Sequence, residues 1–528
     1  MLKCSKLLNL IDNILEHITS GEIKNYDDLE KYKMKLSKEF KVNLPKNSDI
    51  IALIPEEARE RFYPFLKKKP TRTLSGVAII AAMSSPSPCP HGKCIYCPGG
   101  VEFDTAQSYT GKEPAALRAI QNNYDPYRQT MMRMRQLENI GHSTSKIDVI
   151  VMGGTFTART TAYQEYFVKG IYDALNGMQS ESLEEAIQKN EIAEHRAIGL
   201  TVETRPDWFN ISQIDESLKL GVTRVELGVQ TVFDDVLKFV NRGHGQTEII
   251  ESTQLSKDAG LKVAYHMMPG LPGMDLDRDL ASFKTVFEND AYKPDMLKIY
   301  PTLVIKNTGL YELWKNKEYE PYYNNDVVEL MIRVMKIIPR WVRIQRIQRD
   351  IPVQLIEAGV TRSDIRALIQ DTMRRRGEKC NCIRCREIGY KIRENEIKKD
   401  QMIELKEEQY TASGGIERFI SIEDTNNDAL IGYLRLRKPS TKAHRLELSD
   451  SAIVRELKVV GPEVPLNYDF SFGYQHQGYG KALMTRAEQV TADWGFKYLL
   501  VNSGVGARNY YRKLGYELYG PFMRKLLK

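Results

Sequence analysis

The stretch Cys89-Pro90-His91-Gly92-Lys93-Cys94-Ile95-Tyr96-Cys97 stands shortly after an apolar run, Val77 to Met83. A short branched run of this kind reads as a buried strand, and the loop beyond it carries three thiols within nine residues. Similar runs recur downstream at 147–152, 197–202, 223–229, 261–267, 296–300 and 341–347, with helical stretches between them. Nearly continuous apolar strands separated by helices predict a parallel sheet covered by helices. Seven such runs fall one short of a closed eight-stranded barrel, so the expected class is α/β with a partial (β/α) barrel. Sites on such sheets lie at the C-terminal strand ends. Besides the three cysteines, those ends carry Gly153-Gly154-Thr155, Glu203 and Gln230.

Outward from this region the chain changes character. Residues 1–70 read as helices with lysine-rich faces, and 71–370 as the barrel. Residues 371–400 form a short basic connector holding Cys380, Cys382 and Cys385. From 401 to 528 the pattern is antiparallel, with a hairpin of 416–423 and 429–437 about Asp424-Thr425-Asn426-Asn427-Asp428. More strand follows at 445–459, then a helix after Gly478, which together predict an α+β domain. No low-complexity linker separates these parts, so they are expected to pack together.

A chain of 528 residues exceeds a single core, and 42% hydrophobic with 27% charged residues is ordinary for a globular protein. No apolar run approaches the roughly 18 residues of a membrane helix, and the start, MLKCSKLLNLIDNILEH, lacks a signal-peptide core. A cytoplasmic location with no membrane partner is expected. Six of the seven cysteines form two triplets too tight for a disulfide framework, which points to metal, and Cys4 is left as a free thiol. The net charge of +7 says little, but its distribution says more. Arg340, Arg343, Arg346 and Arg349 recur every third residue, Arg374-Arg375-Arg376 runs into the second triplet, and Lys67-Lys68-Lys69 adds a third cluster. Such concentration favours a polyanionic partner, nucleic acid first.

The C-x4-C-x2-C spacing of Cys89, Cys94 and Cys97 leaves one coordination position without a cysteine. Zinc wants four ligands, and His91 is the nominal fourth, yet it lies cramped between the thiols. A [4Fe–4S] cluster held by three thiolates instead leaves one iron open. In its strand-end setting this segment resembles the radical S-adenosylmethionine superfamily, whose usual spacing is one residue shorter. The resemblance implies S-adenosylmethionine on the open iron and its reductive cleavage to a hydrogen-abstracting deoxyadenosyl radical. It places Tyr96 against the adenine and Gly153-Gly154 beside the methionine amine, with Glu203 and Gln230 as ribose or amine contacts. It also requires an electron donor.

Near the C-terminus, Gln475-His476-Gln477-Gly478-Tyr479-Gly480-Lys481 opens a helix. Glycines there let backbone amides at a helix N-terminus approach a pyrophosphate. The segment resembles the [RQ]-x-x-G-x-[GA] loop of the Gcn5-related N-acetyltransferase fold, which implies acetyl-CoA. Glu456, Leu457, Lys458 and Val459 would then lie on the strand that pairs with pantetheine, and Tyr511-Arg512-Lys513-Leu514-Gly515-Tyr516 matches the later Y-x-K-x-G-[FY] segment. By that resemblance the Tyr511 hydroxyl protonates the leaving thiolate. Tyr510 is expected to pack in the core. Cys380-Asn381-Cys382-Ile383-Arg384-Cys385, in its basic connector, reads as a structural zinc site, with His266 and His244 as candidate fourth ligands.

The order of these parts resembles one fusion family, the catalytic acetyltransferase subunit of Elongator with its single-chain archaeal and bacterial relatives. CPHGKCIYCPGG, VIVMGGTF, VELGVQT, QHQGYGKALM and GARNYYRKLGYEL carry the likeness. It implies 5-carboxymethyluridine formation at the tRNA wobble position, with acetyl-CoA as carbon donor and hydrolysed in the course. The tRNA anticodon arm would be the partner of the basic clusters and of the N-terminal helical segment. The short gap between the first two cluster cysteines resembles the archaeal form, which needs no obligatory accessory subunit and leaves room for a homodimer. The family also places a lysine of the radical domain near acetyl-CoA, here Lys146, with Lys298 a second candidate. Two rivals remain at this stage, a protein or histone lysine acetyltransferase with a structural iron–sulfur cluster, and a non-catalytic tRNA-binding scaffold.

Overall fold

Seven strands, β1 (Ala78–Met83), β2 (Lys146–Met152), β3 (Arg196–Thr204), β4 (Arg224–Gln230), β5 (Lys262–Met267), β6 (Met296–Ile299) and β7 (Arg343–Ile347), pair in sequential order. Every neighbouring pair is parallel. Among the described residues β1 and β7 do not pair, so the sheet is a half-barrel. The computed structural model describes residues 2–24, 26–40, 42–45, 47–54, 62, 65–66, 73–397, 399–461 and 477–527. Gln475 and the Lys67 to Lys69 cluster lie outside them.

Local chemistry sets the crossovers. The helix Thr161–Asn176 starts where the Thr160 side chain accepts from the Tyr163 N–H, and stops at Gly177 in the left-handed region. Between β2 and that helix, Gly153 has φ 122°, and a Cβ there would stand 2.3 Å from Ser84 Oγ. Only glycine turns the chain so tightly at that strand end.

The second sheet runs β13 (Glu517–Tyr519), β14 (Phe522–Leu526), β12 (Tyr498–Val501), β11 (Ser451–Val459), β10 (Ala429–Lys438), β9 (Gly415–Asp424), β8 (Ile403–Ala412). Its pairs are antiparallel except β11 with β12. The first helices, Leu2–Thr19, Tyr26–Phe40 and Asn47–Leu53, enclose a small core of their own around Leu10, Ile14, Leu29, Leu36 and Ile50. No helix among the described residues is long and apolar enough to cross a membrane.

The two sheets share one core, since Ile453, Leu500, Val505 and Phe522 join the half-barrel's apolar interior. A buried lattice of charges reinforces the joint. Arg455 bonds both oxygens of Asp295 at 2.6 and 2.7 Å and Glu417 at 2.8 Å. Arg437 bonds Asp258 at 2.6 Å and Glu417 at 2.9 Å. Buried ions are tolerated only when each meets its opposite, as here.

The arginine repeat is not an open cationic stripe. Arg340 pairs with Glu423 and Asp428, Arg343 with Glu387, Arg346 with Asp350, and Arg349 donates to the Ser108 carbonyl. Arg374 pairs with Asp371 and Glu394, and Arg376 with Glu329. Of these pairs Arg343 with Glu387 is buried, whereas those of Arg346, Arg374 and Arg376 stay open to solvent.

Candidate active site at two mouths of the half-barrel

At the C-terminal ends of the strands a cleft, partly open to solvent, is lined by the first cysteine triplet, Gly154, Thr155, Glu203, Gln230 and Arg242. The cysteine loop is fixed from both sides, with the Ile95 N–H on the Val240 carbonyl and the Leu310 N–H on that of Ile95. Each sulfur has a polar neighbour. Arg242 Nη1 donates to Cys94 Sγ at 3.7 Å, Gln107 Nε2 to Cys97 Sγ at 3.2 Å, and Thr155 Oγ1 lies 3.5 Å from Cys89 Sγ. His91 does fold back onto the loop, its Nε2 3.2 Å from Cys94 Sγ. Burial, then Arg205 and Arg242, push its pKa down to about 3, so the ring is neutral.

Arg242 tests what belongs here. Its guanidinium is buried, its other bonds go to the Gly228 carbonyl, and among the described residues it meets no carboxylate. A buried cation whose remaining partners are thiols fits sulfurs that carry negative charge, as metal-bound thiolates do. Above the loop, Gln230 has φ 72° at the end of β4, and its buried Oε1 has no partner among the described residues. A non-glycine residue so held, with an unsatisfied acceptor, fits a ligand contact. Tyr96 is buried beside the cysteines.

Below the cleft the lumen is filled by alternating charge. Glu203 accepts from Tyr109 Oη at 3.1 Å and from Lys298 Nζ at 3.2 Å. Lys298 also pairs with Glu226, whose Oε2 is 2.8 Å from His266 Nε2. Arg224 then bridges Glu226 at 3.4 Å and Asp148 at 3.0 Å. Burial alone would raise the Glu226 pKa, but Lys298, His266 and Arg224 hold it well below the carboxylate range. Burial opposes the Lys298 charge, yet Glu226, Tyr300 and Glu203 raise its pKa above the ordinary value. Lys298 is therefore an ion-paired ammonium of the upper lumen.

The second sheet packs against the N-terminal strand ends, where Arg455 bonds the Leu261 carbonyl and Asp295. Lys146 opens β2 there, and Lys262 opens β5. Burial pushes the Lys262 pKa down to about 8, partly opposed by Glu456 of β11. Glu456 itself is held by Arg435 Nε at 2.8 Å and Tyr433 Oη at 3.1 Å. β12 pairs with β11 along its whole length, Tyr498 to Val501 against Ser451 to Val454, while β11 continues to Val459, so Glu456, Leu457 and Lys458 run on past the end of β12 and leave a step in the sheet, the wedge. The helix Tyr479–Asp493 begins after Gly478, at φ 83°, and a Cβ on Gly480 would stand 2.7 Å from Tyr510 Oη. Tyr511 is the buried member of the tyrosine pair at 6% exposure, and Tyr510 the open one at 39%. The expectation that Tyr510 packs in the core is thereby reversed.

The second triplet gathers Cys380, Cys382 and Cys385 with their sulfurs within 4.8 Å of one another, a spacing that fits one ion. Arg366 and Gln370 each donate to Cys385 Sγ at 3.7 Å. Neither nominated histidine joins them. His266 is engaged by Glu226, and His244 is buried beside Arg242, Arg205 and His91. Sequence reasoning missed Gln107, Arg242, Glu226 and Lys262 as site residues. The pairing of Arg242 with Cys94 spans 148 positions, which no local pattern reveals.

Comparison with known proteins accords with this geometry. Residues 7–74 match the ELP3 N-terminal domain, 84–283 the radical SAM superfamily, 294–375 its C-terminal domain and 390–516 the acetyltransferase (GNAT) family. The chain is 48% identical to the tRNA uridine(34) acetyltransferase of Methanocaldococcus jannaschii, over 98% of this chain and 97% of that protein. It is 44% identical to human Elongator complex protein 3, over 99% and 97%. The solved structure of Methanocaldococcus infernus Elp3 with an N-terminal deletion superposes with a TM-score of 0.77 at 45% identity, covering 86% of this chain and 100% of that one. With the half-barrel, the mixed second sheet and the full-length likeness together, the chain belongs to the family of tRNA uridine(34) acetyltransferases and Elongator complex protein 3.

Proposed function

We propose that this chain modifies uridine 34 of tRNA, using acetyl-CoA to build a carboxymethyl group on C5 of the base. One observation carries the proposal. The cysteine cleft lies at the C-terminal ends of the half-barrel strands, while the second sheet packs on the opposite ends of those strands, Arg455 bonding the Leu261 carbonyl and Asp295, and Glu456 acting on Lys262. A chain that needed only to acetylate amines would have no use for that arrangement.

Cys89, Cys94 and Cys97 would hold a [4Fe–4S] cluster and, with S-adenosylmethionine bound, the pair supplies a hydrogen-abstracting radical. The chain's own residues do the remaining work. His91, Arg242, Gln107 and Thr155 surround the sulfurs, and Arg349, which donates to the Ser108 carbonyl, closes the loop over the cleft. Gly153 and Gly154 give backbone access at the β2 end, with Tyr96, Glu203 and Gln230 as the neighbouring contacts. At the other mouth, the Gly478–Lys481 helix start would cradle the CoA pyrophosphate, and Glu456 to Val459 would run along pantetheine. Gln475 belongs to the same loop by sequence.

Chemically, the radical source would take a hydrogen atom from the acetyl methyl, and the resulting carbon would bond to C5 of uracil. The ring radical so formed would lose its C5 hydrogen as a proton and one electron, for which the cluster would be the acceptor, so that the C5–C6 double bond is restored. Water then adds to the thioester carbonyl, the C–S bond breaks, and the sulfur takes a proton. Tyr511 is the proposed donor. Burial raises its pKa above the ordinary tyrosine value, so the hydroxyl still holds its proton at neutral pH. Lys146, at the foot of β2, is the proposed radical-domain contact to the acyl donor. The second cysteine triplet is proposed to hold zinc, its three sulfurs being close enough for one ion.

The test is anaerobic turnover of the reconstituted protein with dithionite, S-adenosylmethionine, acetyl-CoA and bulk tRNA. A carboxymethylated uridine in the digested tRNA, absent with Cys94→Ala, is the expected result. Acetylated lysine peptides without any modified nucleoside, in the absence of S-adenosylmethionine and reductant, would replace this function with protein acetylation.

A further inference from the structure

The helix that carries Tyr511 is held by the other domain. It spans only Arg508–Arg512, five residues, too short to keep a fixed geometry by itself. Three of the five bond a single residue of the radical domain, Glu191, at the end of the helix Leu183–Asn190. Arg508 Nη1 donates to Glu191 Oε1 at 3.0 Å and Arg512 Nη1 to Oε2 at 2.6 Å, so each carboxylate oxygen is taken by one arginine. Asn509 Nδ2 donates to the Glu191 carbonyl at 3.1 Å. Burial would raise the Glu191 pKa, but the two arginines outweigh it and hold the carboxyl ionised.

The loop leading into this helix is pressed against β3. A Cβ on Gly504 would lie 2.1 Å from the Ile198 carbonyl oxygen, and one on Gly506 2.4 Å from Arg196 Cβ. Val505, between them, joins the half-barrel core. Backbone contact on one side and the Glu191 clamp on the other therefore fix where Tyr511 stands relative to the wedge.

We propose that Glu191 is a positioning residue for thioester cleavage, acting through Arg508 and Arg512 to fix the helix of Tyr511. Acyl chemistry in one domain then depends on a side chain of the other. The proposal rests on Tyr511 being the proton donor.

A second interdomain ion pair serves as control. Asp215 of the radical domain binds His444 at 3.0 Å and Arg445 at 2.8 Å, and among the described residues neither partner bonds the Tyr511 helix. The experiment uses the full chain and measures tRNA-stimulated CoA release, the Kd for CoA, and the melting temperature. The variants are Glu191→Ala, Glu191→Gln, Asp215→Asn, Tyr511→Phe and the double variant Glu191→Gln/Tyr511→Phe. Displacing a catalytic group by a fraction of an ångström to an ångström costs on the order of 10- to 100-fold in turnover. Glu191→Ala is expected to lower kcat by about tenfold, with the Kd for CoA changed by less than about twofold. Glu191→Gln, which retains one acceptor, loses less, and Asp215→Asn leaves kcat unchanged. In the Tyr511→Phe background, Glu191→Gln causes no further loss.

Unchanged kcat in both Glu191 variants, with Tyr511→Phe impaired, overturns the positioning role alone. An equal loss in Asp215→Asn reduces Glu191 to general docking, and an independent loss in the double variant places its action elsewhere. Full activity of Tyr511→Phe removes the proton-donor role and this proposal with it. Glu191→Gln, which keeps the side-chain shape, decides the matter if Glu191→Ala does not fold.

Discussion

Replacing Arg455 by Met should loosen the joint between the two sheets. Arg455 is fully buried, and its guanidinium makes four bonds at 3.0 Å or less, to both Asp295 oxygens, to Glu417 and to the Leu261 carbonyl. At an effective dielectric constant of about 20, each contact with a carboxylate at about 4 Å between charge centres amounts to roughly 4 kcal/mol before desolvation is subtracted. Methionine fills much of the volume, so the main cost is the two carboxylates left behind. Removing one partner of a buried pair costs about 3–5 kcal/mol. Arg435 at 3.6 Å and Lys257 at 4.0 Å still face Asp295, and Arg437 still bonds Glu417, which places the loss at about 3 kcal/mol, the lower end of that range. With a urea m-value of about 3 kcal/mol/M, the midpoint of the step that separates the sheets falls by about 1 M. The Asp295 carboxyl is depressed, chiefly because Arg455, Lys257 and Arg435 overcome burial. Its stabilising contribution is therefore present above the unfolded carboxylate pKa of about 3.9 and is lost as pH falls below it. Without Arg455 the folded pKa rises toward the unfolded value, so less stability is lost below about pH 3.9 than in the parent chain. Urea unfolding followed by tryptophan fluorescence across a pH series reads both effects. A shift worth less than about 1 kcal/mol, the usual value of an exposed ion pair, would refute the placement of this lattice at the joint.

Three further expectations concern the sites themselves. Gly153→Ala puts a Cβ against Ser84 Oγ at φ 122°, a strain of about 1–3 kcal/mol, and should weaken S-adenosylmethionine binding about tenfold in calorimetry while leaving CoA binding intact. Gln107→Leu removes the donor to Cys97 Sγ. If that bond favours the reduced cluster by about 1 kcal/mol, an EPR-monitored titration should show a potential lower by roughly 40 mV, whereas an unchanged or higher potential would count against the donor role. Cys382→Ser, at a fully buried sulfur of the second triplet, should abolish zinc retained after dialysis and lower the melting temperature, and full zinc occupancy in that variant would exclude the triplet as its site.

The half-barrel was legible because short runs rich in branched apolar residues recur between helical stretches, and all seven were readable from β1 to β7 despite the charges that Arg224, Glu226 and Lys298 turn into the lumen. The second sheet was legible only in part. β8 reads Ile403-Glu-Leu-Lys-Glu-Glu-Gln-Tyr-Thr-Ala412, and its exposed edge position permits charges that mask the strand pattern. β13 has three residues, too few for a pattern. In the site, the cysteine loop and Gly153-Gly154 announce themselves because their neighbours in sequence supply the chemistry. Arg242, Gln107 and Glu226 do not, since their meaning comes from partners on other strands and loops. The arginine repeat was legible only in part for the same reason. Spacing showed four cations, but not Glu423, Glu387 and Asp428, which reach them from the far side of the chain.

The most direct test of the central claim follows the methyl hydrogens of acetyl-CoA. With acetyl-CoA fully deuterated at the methyl, anaerobic turnover on tRNA should place one deuterium in 5′-deoxyadenosine and leave two in the carboxymethyl group of the modified uridine. A modified nucleoside retaining all three, or deoxyadenosine without deuterium, would contradict carbon–carbon bond formation through the acetyl methyl.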